Sequence, residues 1–399
     1  MRSSERPDFV LLISIAFVLF AGLMAVYSAS LAMVDRSIFS RQLLSTVVAI
    51  AAFVAGARIS LRILDELAPV IFIVTCLLLL ITVFFGSGPA GRWLAIGPFR
   101  VQPSEIAKVS LIILTARWLS SLRTRAGKYS EGYLLLVLST AVILTWLQPD
   151  LGTAVSMCLI ILGMFYWAGY GLGWIFLLIS PLLAAVSSIG LIYWLLFTAC
   201  LITVLYRRGA SARMWMGFLV GNTLVAAVTP WAWNLLRPYQ QARLTTFINA
   251  AADPHGAGWN IIQSEVAVGS GGMFGQGFLQ GAQKGLAFLP ARHTDFIFPV
   301  WAEEFGFAGA MLLLSAFFLI IWRVVRAGAR SLNPFNSLLA SGIATYLAIH
   351  VILNIGMTIG IMPVTGLPLL VVSFGGSQLI MALFMLGLAL NVGMTWRIY

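Results

Sequence analysis

Between Phe9 and Ser28 the chain runs for twenty residues without a charge, and stretches of this kind recur to its far end. A helix rises about 1.5 Å per residue, so about 20 apolar residues cross the hydrocarbon layer of a bilayer. By that ruler spans are expected near 9–30, 42–57, 67–85, 104–121, 132–148, 151–169, 214–234, 298–322, 336–358 and 367–395. The apolar stretch 173–206 is too long for one span and is interrupted at Pro181 and Gly190, so it divides into two meeting near 190. The expectation is an all-α polytopic membrane protein with twelve spans, forming one integral-membrane domain over 1–399. The first run exceeds the core of a signal peptide, so it reads as a retained span despite the faintly cleavage-like "SAS" at 28–30.

Composition agrees. Hydrophobic residues make up 60% of the chain and charged residues only 9%, where a soluble domain carries about 25%. The net charge of +11 would suggest nucleic acid in a soluble protein, but no basic cluster interleaved with aromatics is present. It fits basic loops held against anionic membrane lipids. Cys76, Cys158 and Cys200 all lie in apolar runs without metal-ligand spacing and read as packing residues.

Loop charge sets the expected orientation. "ARISLR", "RWLSSLRTRAGK", "RRGASAR" and "WRVVRAGAR" alternate with loops poorer in Lys and Arg. With twelve spans and a cytoplasmic N-terminus, all four fall inside, and both termini are cytoplasmic. The long polar loop, about 235–297, then lies on the outer face together with 86–103, 147–150 and 359–366.

Those outer segments carry the chemistry. In "GPFRVQPSEIAKVS", Ser104 and Glu105 suit the first turn of a helix opened by Pro103. Lys108 sits three residues on, hence on the same face as Glu105. An intramembrane lysine with a carboxylate beside it is either a functional pair or a snorkelling side chain. In "QPDLGTA", Asp150 is a helix cap or a contact to a polar substrate group or metal. "ARHTDFIFPVWAEEFG" places Arg292, His293 and Asp295 ahead of a span holding Glu303 and Glu304. At least one of those two carboxylates must face the bundle interior. His293 is a hydrogen-bonding residue or a catalytic one, and His293, Asp295 and Glu303 match no strong metal pattern. The glycine-rich "GSGGMFGQGFLQG" lacks the nucleotide-loop ending and reads as tight turns folding back on the membrane surface. Asp253, before Pro254, is a turn residue or a base. It shares its loop with Arg243, Lys284 and Arg292, and Arg92 and Arg100 lie on a neighbouring loop. A carboxylate among cations can take a proton from a sugar hydroxyl and steady a departing phosphate.

Together, "GPFRVQPSEIAK", "QPDLGTA", "DPHGAGWNIIQSEVAVGSGGMFGQGF", "LPARHTDFIFPVWAEEFGFAG" and "NIGMTIGIMPVTGLPLLVVSFGGS" resemble the SEDS family of polytopic peptidoglycan glycosyltransferases, in the family's order over most of the chain. The wording "GFLQGAQKGLAFLPARHTDF" and "PVTGLPL" is more similar to its elongation (RodA) branch than to its division (FtsW) branch. The resemblance implies polymerisation of lipid II outside the bacterial cytoplasmic membrane, within the elongation machinery and with a class B penicillin-binding protein as partner. It implies that Asp253 is catalytic and that Glu105, Lys108 and Asp150 occupy polar cavity positions. Arg243, Lys284, Arg292, His293, Asp295 and Glu303 complete the expected substrate-binding set. A divalent cation, Mg or Mn, would neutralise the diphosphate, but no site for one is written in the residues. Trp259 and Phe374 stand where the family usually has Tyr. The family typically has ten spans, so 173–206 reads as a two-span insertion or a re-entrant hairpin. Two other functions stand beside polymerisation: a transporter flipping lipid-linked precursors, for which no inverted repeat is visible, and a non-catalytic scaffold.

Overall fold

The computed structural model describes residues 7–31, 37–88, 91–96, 99–123, 131–235, 241, 258–281 and 293–395. Among them are α1 (Phe9–Leu31), α2 (Ser37–Arg58), α3 (Leu61–Phe85), β1 (Leu94–Ile96), β2 (Phe99–Val101), α4 (Pro103–Arg123), α5 (Glu131–Leu147) and α6 (Leu151–Trp167). Then come α7 (Leu172–Ser187), α8 (Leu191–Arg207), α9 (Ala212–Leu235), α10 (Trp259–Ser270), α11 (Ile297–Arg330), α12 (Pro334–Thr358) and α13 (Gly376–Met394). A helix stands at each of the twelve expected spans. Six of them, α1–α3 and α11–α13, are long and apolar enough to cross a membrane, and α5–α8 are shorter apolar helices.

The chain forms two compact units, residues 1–164 with 246–399, and residues 165–245. In the first, α2 packs along α13, α3 along α4, α1 along α11, and α12 lies against both α4 and α11. In the second, α7 packs on α8 and α9 around Leu177, Ala184, Phe197, Leu201 and Leu205. Asn222 on α9 donates to Ser180 Oγ of α7 at 3.1 Å. Pro181 stays inside α7, and the break falls at 188–190 instead.

Four expectations need correcting. The expected span 367–395 is helical only from Gly376, because 367–375 is irregular, and it is largely buried. The expected span 298–322 is not one helix. Gly306 takes φ 65°, ψ −166° and divides α11 into a short leading piece carrying Glu303 and Glu304 and a long second piece. The segment 86–103 contains an antiparallel hairpin, with Leu94 opposite Val101, that periodicity did not suggest. The cysteines also differ from plain packing residues, since Cys158 and Cys200 are exposed on the apolar surface.

Candidate functional site

Irregular backbone inside a membrane protein survives only where its N–H and C=O groups find partners. In 367–375 those partners are side chains from the surrounding helices, the segment's own Ser373 and the backbone just ahead of α11. Pro368 O accepts from Gln378 Nε2 of α13 at 3.1 Å and lies 3.3 Å from His350 Nδ1 of α12. Asn354, one turn below His350, donates to Leu367 O at 2.8 Å and to Asp295 O at 2.9 Å. Ser373 Oγ accepts from Leu369 N at 2.9 Å and donates to Thr294 O at 2.7 Å. Phe374 N donates to His293 O at 2.8 Å. From α2, Gln42 reaches Ser373 O and the N–H of Gly375, each at 3.4 Å. The segment 293–296, which opens α11, is thereby tied to 367–375.

The same α12 face leads to α4. Pro103 starts α4, and Lys108 one turn on donates to Glu105 Oε1 at 2.8 Å. Its ammonium also lies 3.2 Å from His350 Nε2 and 5.3 Å from the centre of the Tyr346 ring. The lysine does not snorkel: its side chain is fully buried, as is that of Glu105 but for a few per cent. Around this pair, Glu105 Oε2, Ser104 Oγ and Tyr346 Oη have no hydrogen-bond partner among the described residues.

Gln102 joins this core to a second cluster. Its carbonyl accepts from Glu105 N at 3.1 Å and its amide lies 3.3 Å from Asp150 Oδ2. Asp150 Oδ1 accepts from Thr153 N at 3.3 Å, capping α6, and stands 3.5 Å from an Arg92 guanidinium nitrogen. Arg92 also donates to the carbonyls of Gln148 and Pro149. Gly152 must be glycine here, since a Cβ would come 2.3 Å from Thr365 O. Asp150 is therefore both a cap and an ion-pair partner.

Glu303 and Glu304 are both buried. The Ser28 hydroxyl of α1 donates to Glu304 Oε1. Glu303 lies so close to Gly281 that a Cβ there would come 2.6 Å from Oε2. His293 is half-buried and Asp295 lies beside it at the start of α11, with the His293 ring 5.6 Å from that of Phe374. Asp253, Arg243, Lys284 and Arg292 lie outside the described residues. Among the described residues no three His, Cys, Asp or Glu side chains gather into a set that could hold a metal ion.

Sequence reasoning passed over Tyr346, His350, Asn354, Gln42 and Gln378. The signal for the first three was present: polar groups at 346, 350 and 354, spaced four apart on one face of an apolar helix.

The FTSW_RODA_SPOVE family, described as cell cycle protein, matches residues 8–197 and 193–397, two pieces that meet inside α8. Peptidoglycan glycosyltransferase MrdB of Escherichia coli K12 is 34% identical over 386 residues, covering 96% of this chain and 92% of that protein. A solved chain from work on the structural coordination of polymerisation and crosslinking by a peptidoglycan synthase complex superposes with a TM-score of 0.72 at 27% identity, covering 98% of this chain and 99% of that one. A variant of the rod shape determining protein RodA of Thermus thermophilus superposes with a TM-score of 0.65 at 25% identity, covering 98% of both chains. The chain belongs to the FtsW/RodA/SpoVE family, the SEDS proteins. It is a multi-pass, all-α membrane protein.

Proposed function

We propose that this chain is a peptidoglycan glycosyltransferase of the elongation branch, polymerising lipid II at the outer face of the bacterial cytoplasmic membrane, with both termini cytoplasmic. The observation that carries the reading is the likeness to MrdB along 96% of the chain. The buried network supports it: a transferase needs its polar groups on rigid elements, and the starts of α4, α6 and α11 are cross-linked through 367–375 and Gln102.

Asp253 is the general base. It takes the proton of the acceptor GlcNAc 4-hydroxyl, whose oxygen attacks the anomeric carbon of the donor MurNAc. The bond to the diphosphate oxygen breaks, undecaprenyl diphosphate leaves with the electron pair, and the anomeric configuration inverts. Aspartate is a weak base in water, so closeness and orientation supply much of the rate. A positioned base contributes about 100- to 10,000-fold. Arg243, Lys284 and Arg292 meet the leaving charge. A Mg or Mn ion would neutralise charge on the departing diphosphate. Asp150, His293 and Asp295 would contact sugar or phosphate groups. The buried Glu105, Lys108 and Glu303 act by holding the helices that carry the rest.

The partner is a class B penicillin-binding protein, whose transpeptidase crosslinks the new glycan. The likeness to a chain studied within a peptidoglycan synthase complex supports this.

Purified protein in detergent with labelled lipid II tests the reading. Glycan polymer is expected. Scrambling of lipid II across liposomes without polymer would point to a flippase, and neither activity to a scaffold. A division-type enzyme would polymerise equally but would restore septation rather than rod shape in a depleted strain.

A further inference from the structure

The leading piece of α11 ends where Gly306 turns out of helical geometry. In an unbroken helix the N–H groups of Phe307 and Ala308 would bond to the carbonyls of Glu303 and Glu304. Here all four are paired with the glycine-rich segment before α11. Phe307 N donates to Gly272 O at 2.8 Å and Ala308 N to Met273 O at 3.0 Å, while Gln276 N donates to Glu303 O at 2.9 Å and Gly277 N to Glu304 O at 3.1 Å. At a wet helix end water would serve these groups. In hydrocarbon each unpaired one costs several kcal/mol, so a break there must be closed by protein.

The side chains of the segment point the same way. From Val266 to Gln283 the chain carries no charge. Met273 and Phe274 are 62% and 83% exposed. They cannot fold inward, because the backbones touch: a Cβ on Gly271 would meet Ala302 O at 2.1 Å, and one on Gly275 would meet Glu304 O at 2.1 Å. Beside them, Phe307, Met311, Leu312 and Phe318 expose apolar side chains along the second piece of α11, a helix apolar enough to cross the membrane. The exposed apolar surface of the span thus continues onto the glycine-rich segment.

We propose that residues 271–281 form a re-entrant, lipid-embedded segment that caps the broken helix α11, with Met273 and Phe274 facing the acyl chains of the bilayer. The segment anchors the long loop in the membrane and satisfies the α11 break. This holds whatever reaction the protein performs, so loss of lipid II polymerisation leaves it untouched.

The test uses the full chain in liposomes, with Cys76, Cys158 and Cys200 replaced by alanine. A nitroxide is attached at Phe274→Cys, with Phe318→Cys as the lipid-facing reference and Arg62→Cys as the aqueous one. Collision with oxygen and with a water-soluble nickel chelate reads the environment. The label at 274 is expected to match that at 318; a match to the label at 62 would overturn the proposal. If Phe274→Cys fails to fold, the native chain in bilayers carrying diazirine-tagged acyl chains reads the same question. Label on the peptide containing Met273 and Phe274 supports the assignment. Label on α11 but not on that peptide overturns it, as does crosslinking of 274 between two copies in place of lipid label.

Discussion

Lys108 has three ammonium protons and two acceptors close by, Glu105 Oε1 at 2.8 Å and His350 Nε2 at 3.2 Å. The histidine's other nitrogen faces Pro368 O, which can only accept, so Nδ1 carries the proton and Nε2 offers its lone pair to the lysine. A buried ammonium and carboxylate hold each other in place, and removing one strands the other at a cost of about 3–5 kcal/mol. Lys108→Ala should therefore lower folding yield and activity together, and adding Glu105→Ala should restore part of the yield. Strict additivity in that double-mutant cycle would reject the pairing. His350→Leu removes both an acceptor for the ammonium and the donor to Pro368 O, so it should destabilise by about 1–3 kcal/mol. His350→Gln keeps an acceptor and a donor and should cost less. Thermal unfolding in detergent measures both; equal stability of His350→Leu and the parent chain would remove histidine from the network.

Gly306 shows how an element departs from its composition. Its φ of 65° with ψ −166° belongs to a region open almost only to glycine, and a Cβ would lie 2.3 Å from Gly275 N. Gly306→Ala should cost about 1–3 kcal/mol of backbone strain and loosen 271–277 from α11. Faster amide exchange at Gln276 and Gly277 is the expected readout, and unchanged exchange would contradict it. Hydropathy reads such breaks poorly, because from Phe305 the chain runs apolar across Gly306 despite Glu303 and Glu304 just ahead, and it stays apolar through 367–375. Helices at the twelve expected positions were legible because a bilayer selects for long apolar runs, and six of those described are long and apolar enough to cross one. The irregular 367–375 was not, since its backbone is satisfied by Gln42, Asn354 and Gln378 from distant helices, which no local window contains. Only Pro368 and the Gly375–Gly376 pair hinted at it. Glu105 and Lys108 were legible as a pair from their spacing of three. Their third member, His350, was hidden by a separation of 242 residues from Lys108.

At the scale of the molecule, the account needs the long loop and the basic loops on opposite sides of the membrane. Cysteines placed at Arg208 and at Gly256 in a cysteine-free chain should react with an impermeant reagent from opposite faces, and labelling from one face would break the twelve-span topology. The central claim is that this bundle presents one carboxylate, Asp253, to two lipid-linked sugars. Asp253→Asn preserves shape and removes the basic oxygen, so it measures that claim most directly. Purified Asp253→Asn protein should insert, stay folded and bind lipid II, yet form no detectable glycan polymer. Polymerisation by Asp253→Asn at near the parent rate would contradict the account and move the base to Asp295 or Asp150.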